Sequence, residues 1–171
     1  MRRIASIYLA SPDASPRVEQ KRALCRAAGF EGLTGFDAPL IETQRSEVMA
    51  REIYAARVAR MRLADAVVVD LTPRLGPTCD AGVAFEAGFM AALGKPVFAY
   101  LNVASPDEVE LRARLENFFG DCGDQVEDFG LPENLMLWAE ARRTFIVVTP
   151  NIDGDLTGLE LCLEAAQLYA E

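Results

Sequence analysis

Four short apolar segments, rich in β-branched and aromatic residues, alternate along the chain with longer segments of mixed polarity. The apolar segments are nearly continuous, which is typical of strands that are covered on both faces. They predict strands at Ile4–Ala10, Ala66–Leu71, Pro96–Leu101 and Thr144–Thr149, with a weaker fifth near Phe30–Phe36. The pattern therefore favours a sheet whose strands are largely buried.

The segments between the strands carry helical patterns. Ser15–Ala28 opens with a serine that suits a helix cap and a proline at the first helical position. Further helices are predicted at Arg45–Ala64, Cys79–Leu93 and Asp155–Ala170. Because strands and helices alternate, the expected fold class is α/β, a doubly wound parallel sheet of about five strands with helices on both faces. No linker or repeat interrupts the pattern, so residues 1–171 are expected to form a single domain.

Ligands bind to sheets of this kind beyond the carboxyl ends of the strands. Those ends are predicted at Ala10–Asp13, Asp70–Arg74 and Leu101–Asn102. Side chains in these segments are therefore candidates for a binding site, with Ser11 among the predicted substrate-binding residues.

Composition and charge narrow the classes of function. Of the 171 residues, 51% are hydrophobic and 25% are charged, as in globular domains. The net charge of −9 disfavours binding to a nucleic acid polymer. No apolar run approaches the length of about 18 residues that a membrane span needs, and the N-terminal MRRIASIYLASPD becomes polar too soon for a signal peptide. A cytoplasmic protein without membrane partners is expected.

The chain contains no histidine and four widely spaced cysteines. Ser-His-Asp triads, Cys-His pairs and HExxH zinc sites are therefore excluded. Cys25, Cys79, Cys122 and Cys162 form no CxxC pair, so no metal site is expected. No Ser/Thr-rich phosphate loop follows the first predicted strand, so neither FMN nor another cofactor is expected. Catalysis would have to use carboxylates, hydroxyls, amides or arginine.

One carboxylate stands out in the predicted third helix. Glu86 is the one charged side chain between Ala81 and Gly94, in a helix that is apolar on all sides. Such a helix is normally buried, and a buried carboxylate is costly unless it is paired or faces a cavity. Glu86 therefore either reaches the surface or an arginine, or points into a polar pocket at the strand ends. Gly82 and Gly88 favour the pocket, because they let a ligand approach closely.

Two more residues are candidates for the same site. Asp80 precedes the helix and suits an N-cap, where amide donors and the helix dipole keep a carboxylate ionised. Tyr8 lies near the carboxyl end of the first predicted strand, where it either packs in the core or orients a carboxylate through its hydroxyl. Paired carboxylates at one pocket suit glycosyl transfer, since one attacks while another polar group assists the leaving group.

The ordered segments IYLASP, ADAVVVDLTP, DAGVAFEAGFMAALGKPVFAY and GLPENLMLW resemble the nucleoside 2-deoxyribosyltransferase family. The resemblance extends from about Ile4 to Trp138 and implies a flavodoxin-like sheet, which agrees with the fold predicted above. It implies an enzyme of nucleotide salvage that exchanges the base of a 2′-deoxynucleoside through a covalent glutamyl intermediate, with retention and some hydrolysis. The implied partners are a nucleoside or nucleotide, a free nucleobase, and further copies of the chain in a dimer or hexamer with shared sites.

The resemblance also assigns roles to individual residues. Glu86 falls on the nucleophile that attacks the anomeric carbon, and Tyr8 falls on the tyrosine that positions it. Asp80 falls on the aspartate that holds the sugar or assists the base. Asn134 and Met136 fall on residues that complete a neighbouring subunit's site, although without the resemblance Asn134 is more typical of a loop or a helix cap.

Three positions depart from the family pattern. Arg57 stands where relatives usually carry Asn or Asp facing the base, and a guanidinium there either binds an anionic part of the substrate or is a solvated helix arginine. Val83 replaces a hydroxyl residue, and Leu71–Gly76 lacks an aromatic residue. Two alternatives to the transferase follow. One is an N-glycoside hydrolase of nucleoside 5′-monophosphates, with Arg57 or Arg74 on the phosphate, and the other is a nucleotide-binding module without activity.

Overall fold

The computed structural model describes residues 4–12, 17–35, 47–74, 76–105, 114–115 and 129–169. Its strands are β1 (Ser6–Ala10), β2 (Glu31–Leu33), β3 (Ala66–Asp70), β4 (Val97–Val103) and β5 (Arg143–Val148). Its helices are α1 (Arg17–Ala27), α2 (Glu47–Leu63), α3 (Ala81–Ala92), α4 (Leu135–Glu140) and α5 (Thr157–Tyr169).

The five strands pair in parallel, in the order β2-β1-β3-β4-β5. This arrangement confirms the predicted α/β fold with a doubly wound sheet. The order reverses between β1 and β3, and the carboxyl ends of two such strands border the crevice where ligands bind in this class of fold. β1 ends at Ala10 and β3 ends at Asp70, so the loops that follow these two residues frame the expected site.

The predicted elements match the observed ones within a few residues, with two informative differences. The weak fifth strand is confirmed, but it is only three residues long. A Cβ at Gly32 would lie 3.1 Å from Cys25 Sγ, so this short strand packs closely on α1. The pattern does not predict α4, because its six residues are too few to establish a helical period. The predicted cap at Ser15 and the predicted helix start at Arg45 lie outside the described residues.

Helices pack on both faces of the sheet. Successive side chains of a strand point to opposite faces, so β1 sends Tyr8 into one core and Ile7 and Leu9 into the other. α2 and α3 close the core that contains Tyr8, and α1 and α5 close the second core. Gly158 lets α5 lie directly on β4, because a Cβ there would lie 2.5 Å from Tyr100 Cδ2. Tyr8 consequently faces α3, the helix that carries Glu86.

Three thiols are buried within this framework. Cys25, Cys79 and Cys162 are free, and burial raises the pKa of Cys25 to about 11 and that of Cys79 to about 12. These thiols are therefore protonated near neutral pH, and Cys122 lies outside the described residues. Over the part of the chain that the structure describes, no helix combines the length and apolar composition needed to cross a bilayer.

Candidate active site

Glu86 lies in the second turn of α3 and is buried despite its charge, with 5% of the residue exposed. Two polar groups reach its carboxylate. The Tyr8 hydroxyl donates a hydrogen bond of 2.7 Å to Oε1, and Arg57 Nη1 lies 3.4 Å from the same oxygen. Of the alternatives for Glu86, contact with an arginine is observed and exposure at the surface is not. The structure thus brings together three of the predicted site residues, from α3, β1 and α2.

The electrostatic environment of Glu86 is a balance of opposing influences. Burial is the largest and raises the pKa of Glu86. The hydrogen bond from Tyr8 and the charge of Arg57 lower this pKa, the charge of Asp80 raises it, and the result lies above the usual value. Burial and the neighbouring Glu86 also raise the pKa of Tyr8. Tyr8 therefore stays protonated and donates its hydrogen bond to the Glu86 carboxylate.

Asp80 caps the N-terminus of α3. Its Oδ1 accepts hydrogen bonds from the backbone N–H groups of Gly82 at 2.8 Å and Val83 at 3.2 Å. These bonds satisfy two of the donors that the start of a helix leaves open. A Cβ at Gly82 would lie 3.0 Å from the same oxygen, so the glycine gives the cap room. The cap predicted from the sequence is observed, whereas the roles of Asp80 toward the sugar or the base and of Gly82 toward a ligand stay predictions.

Two substitutions separate the cap from any chemical role of Asp80. Asp80→Ala is expected to lower the free energy of unfolding by about 1 kcal/mol, because the two amide donors lose their acceptor. Asp80→Asn keeps a capping oxygen and should stay within about 0.5 kcal/mol of wild type. Chemical denaturation measures both values. A chemical role for Asp80 requires that Asp80→Asn loses activity at unchanged stability, and equal activity in Asp80→Asn and wild type would contradict such a role.

A buried ion cluster lies at the carboxyl ends of β1 and β3. Lys21 Nζ lies 3.5 Å from Asp70 Oδ2 and donates a hydrogen bond of 2.7 Å to Ser11 Oγ. Arg74 contacts Asp70 at 3.1 Å and Asp153 at 3.3 Å. Ser11, a predicted substrate-binding residue, is therefore held by Lys21, and Arg74, the alternative phosphate ligand, lies against two carboxylates.

The charges in this cluster stabilise one another. Burial opposes the ionisation of Asp70, but Lys21 and Arg74, with a hydrogen bond from Thr72, hold the pKa of Asp70 below its usual value. The sequence did offer a signal for Lys21, which shares the buried face of α1 with Cys25 at a spacing of four residues. In the described ranges, no group of three His, Cys, Asp or Glu side chains is arranged to hold a metal ion.

A buried carboxylate ties the start of α4 to the loop before α3. Glu133 accepts hydrogen bonds of 2.8 Å from the backbone N–H groups of Cys79 and Asn134. Asn134 in turn caps α4, with its Oδ1 accepting from the N–H of Met136 at 3.0 Å. The sequence points to Asn134 and Met136 but not to Glu133, because Cys79 lies 54 residues away along the chain.

A groove of about 570 Å³ separates α3 from α4. Its walls are small or apolar on the α3 side and mixed on the α4 side, and they include Ala84, Ala87, Gly88, Ala91, Asn134, Met136, Leu137 and Glu140. The α3 members recur at spacings of three and four residues, which places them on the face of the helix opposite to Glu86. Within one chain, Asn134 and Met136 therefore face this groove rather than the Glu86 carboxylate.

A family profile described as Nucleoside 2-deoxyribosyltransferase matches residues 7–136, which is most of the chain and includes Tyr8, Arg57, Glu86 and Asn134. The chain belongs to the nucleoside 2-deoxyribosyltransferase family. The match begins in β1 and ends at the start of α4, so it includes the segments that carry Tyr8, Arg57, Asp80 and Glu86. Membership in this family confirms the resemblance predicted from the four sequence segments.

The chain is also similar to solved structures and to a curated relative. A 2-desoxiribosyltransferase from Leishmania mexicana is 24% identical, with a TM-score of 0.57 over 94% of this chain and 97% of that one. A 2-deoxyribosyltransferase from Bacillus psychrosaccharolyticus is 23% identical, with a TM-score of 0.50 over 75% of this chain and 96% of that one. An uncharacterized protein of Schizosaccharomyces pombe is 26% identical over 128 residues, which are 70% of this chain but 61% of that relative, less than two thirds of its length. At such identities the likeness of the structures shows that the fold is shared.

Proposed function

We propose that this chain is a nucleoside 2-deoxyribosyltransferase that exchanges the base of a 2′-deoxynucleoside by double displacement, with slow hydrolysis as a side reaction. The observation that carries the proposal is the buried Glu86 carboxylate with the Tyr8 hydroxyl 2.7 Å from its Oε1. A buried carboxylate with a raised pKa and a fixed donor is typical of functional sites. Family membership supports the N-glycosidic bond of nucleosides as the bond that is broken.

In the first step Glu86 acts as the nucleophile. Both contacts described for its carboxylate fall on Oε1, so we assign the attack on C1′ to Oε2. The bond from Oε2 to C1′ forms as the bond from C1′ to the base nitrogen breaks, and the electron pair leaves with the base, which takes up a proton. Asp80, at the start of α3, is assigned to holding the sugar or assisting the departing base.

In the second step a nitrogen of the incoming base attacks C1′ and gives up its proton, while the bond from C1′ to Oε2 breaks and restores the Glu86 carboxylate. Two successive inversions give net retention, as in retaining glycosidases that use a carboxylate nucleophile. Water in place of the incoming base gives the free sugar, which accounts for the side hydrolysis. Throughout, Tyr8 holds Oε1 so that the other oxygen can meet the sugar.

Hydrolysis of nucleoside 5′-monophosphates is less well supported by the described contacts. That reaction needs a cation for the phosphate, and Arg74 and Arg57 are the two candidates that the sequence analysis names. Arg74 lies against Asp70 and Asp153, and Arg57 lies against Glu86. A phosphate at either place would compete with a carboxylate that is already there, so a nucleoside is the proposed substrate.

We also propose that the chain works as a homo-oligomer in which Asn134 and Met136 serve the site of a neighbouring copy. Met136, which lines the groove between α3 and α4, is 71% exposed. Exposed apolar side chains beside an apolar groove favour contact with another protein surface. A second copy of this chain would cover that surface. Asn134 and Met136 would then lie at a site of the second copy, which they do not reach within their own chain.

A mixture of the protein, a 2′-deoxynucleoside donor and a different free base tests the proposed activity directly. Chromatography is expected to show a new deoxynucleoside, and NMR should identify it as the β-anomer. Release of the donor base without a new nucleoside would mean that the protein is a hydrolase and not a transferase. The 5′-monophosphate would then be compared with the nucleoside as a substrate. Thermal stabilisation by nucleosides without any turnover of purine or pyrimidine donors would contradict the proposal and favour the binding module.

A further inference from the structure

Arg57 projects from α2 toward the Glu86 carboxylate on α3. Its Nη1 lies 3.4 Å from Oε1, and its side chain is 28% exposed, against 6% for the glutamate side chain. The pair is therefore partly withdrawn from water. Salt screens a partly buried ion pair less than it screens a pair at the surface. The contact joins two helices at the residue to which the proposed function assigns the attack.

Gly35 lies just after β2 and borders the same arginine. A Cβ at this position would lie 2.8 Å from Arg57 Cγ and 2.9 Å from Nε. Real Cβ atoms do not make contacts this short, so any side chain here would displace the arginine stem. Gly35 therefore leaves free the space that the arginine stem occupies.

We propose that Arg57 is a positioning residue that holds the Glu86 carboxylate for attack, and that Gly35 is the residue that admits Arg57 to this place. The inference rests on the nucleophilic role proposed for Glu86. Tyr8 and Arg57 approach Oε1 from β1 and α2, and the carboxylate cannot turn this oxygen away without losing both donors. Oε2 is thereby kept away from the two donors and left for the sugar.

Arg57 also favours the ionised form of Glu86. The groups that act on its pKa come from three elements: Tyr8 of β1 and Arg57 of α2 lower it, and Asp80 before α3 raises it. Burial, the largest influence, raises it as well. Without Arg57, Tyr8 would be the one remaining group of these that favours the ionised form. The pKa of Glu86 would then rise further, and the ionised nucleophile would be lost at a higher pH than in wild type.

The test follows the titration of Glu86 itself, by NMR of protein labelled with ¹³C at the glutamate side-chain carboxyls, with Glu86→Gln to assign the signal. In Arg57→Met and in Gly35→Ala the midpoint is expected at higher pH than in wild type, and Arg57→Lys should restore part of the difference. Arg62→Met, at an exposed position of the same helix, is the matched control and should leave the midpoint unchanged. An unchanged midpoint in Arg57→Met would overturn the proposal.

Turnover gives a second readout. Arg57→Met is expected to lose about tenfold in kcat at pH 6 but less than about threefold at pH 9, because a higher pH favours the ionised carboxylate even without the arginine. Equal losses at the two pH values would overturn the role assigned to Arg57. A midpoint that moves in a protein without any turnover would refute the proposed function and support the placement of Arg57, so the two failures are distinguishable.

A double substitution tests the part assigned to Gly35. Gly35→Ala is expected to act by displacing the arginine stem, so in an Arg57→Ala background it should add nothing to the change of midpoint. Thermal unfolding of each variant establishes that the fold is retained. Additive changes of midpoint would mean that Gly35 acts on Glu86 by another route, which would overturn its assigned part.

Discussion

Glu86→Gln is expected to lower the rate of base exchange by at least about 10³-fold, because a neutral amide oxygen cannot replace a carboxylate as the attacking group. The fold should be retained. Glutamine has nearly the same shape and can still accept the hydrogen bond from Tyr8, and a neutral group at this buried position avoids the cost of burying a charge. Initial rates by chromatography, with thermal unfolding of the same samples, measure both effects.

A matched carboxylate and a trapping experiment sharpen this prediction. Glu164→Gln, at an exposed position of α5 on the opposite face of the sheet, should leave exchange unchanged. Acid quenching of wild type during turnover should leave a 2-deoxyribosyl group on the peptide that contains Glu86, and mass spectrometry detects it. Exchange at near wild-type rates in Glu86→Gln, or a labelled peptide from another part of the chain, would contradict the assignment of the nucleophile.

Lys21→Met is expected to lower the free energy of unfolding by about 3–5 kcal/mol, because it leaves the buried Asp70 carboxylate without one of its charge partners. Both side chains of this pair are almost fully buried, at 4% and 3% exposure. Arg74 continues to contact Asp70, so the loss should fall toward the lower end of that range. Chemical denaturation at two salt concentrations measures the effect, which should persist at high salt since the pair is shielded from solvent.

Arg51→Met provides the contrasting case. Arg51 and Glu47 approach to 2.6 Å, closer than Lys21 and Asp70, but both side chains are 79% exposed. An exposed pair at this helical spacing contributes about 0.3–0.5 kcal/mol, and added salt weakens it. If Arg51→Met and Lys21→Met lowered the free energy of unfolding by the same amount, burial would not explain how the cluster at the strand ends stabilises the fold.

The fold was predictable because its signals are local. Each buried strand is a continuous apolar segment, and each long helix has local signals such as Gly94 at the end of α3, so β3 and α3 can be identified without knowledge of their neighbours. The exceptions are short elements. β2 has three residues with Gly32 at its centre, and α4 is too short to show a period, although the asparagine that caps it was identified on other grounds.

The candidate site was predictable only in part, for the same physical reason. Glu86 stands out as a single charge in an apolar helix, which is a local contrast. Asp80 and Tyr8 are candidates because of their places at a helix start and a strand end, and the resemblance adds Asn134. The partners of these groups are set by tertiary packing. No local pattern indicates that Arg57 would reach Glu86 past Gly35, since these three residues lie on different elements and far apart in the sequence.

Glu133 has a further consequence if the sites are shared between copies as proposed. One of its carboxylate oxygens holds the loop that leads to Asp80 of its own site, and the other holds Asn134, which is assigned to the site of the neighbour. A single buried side chain would then connect two active sites. Ordering of the loop in one site would change the position of Asn134 in the other. Cooperativity between sites, seen as a Hill coefficient different from one, is the behaviour that such a connection would produce.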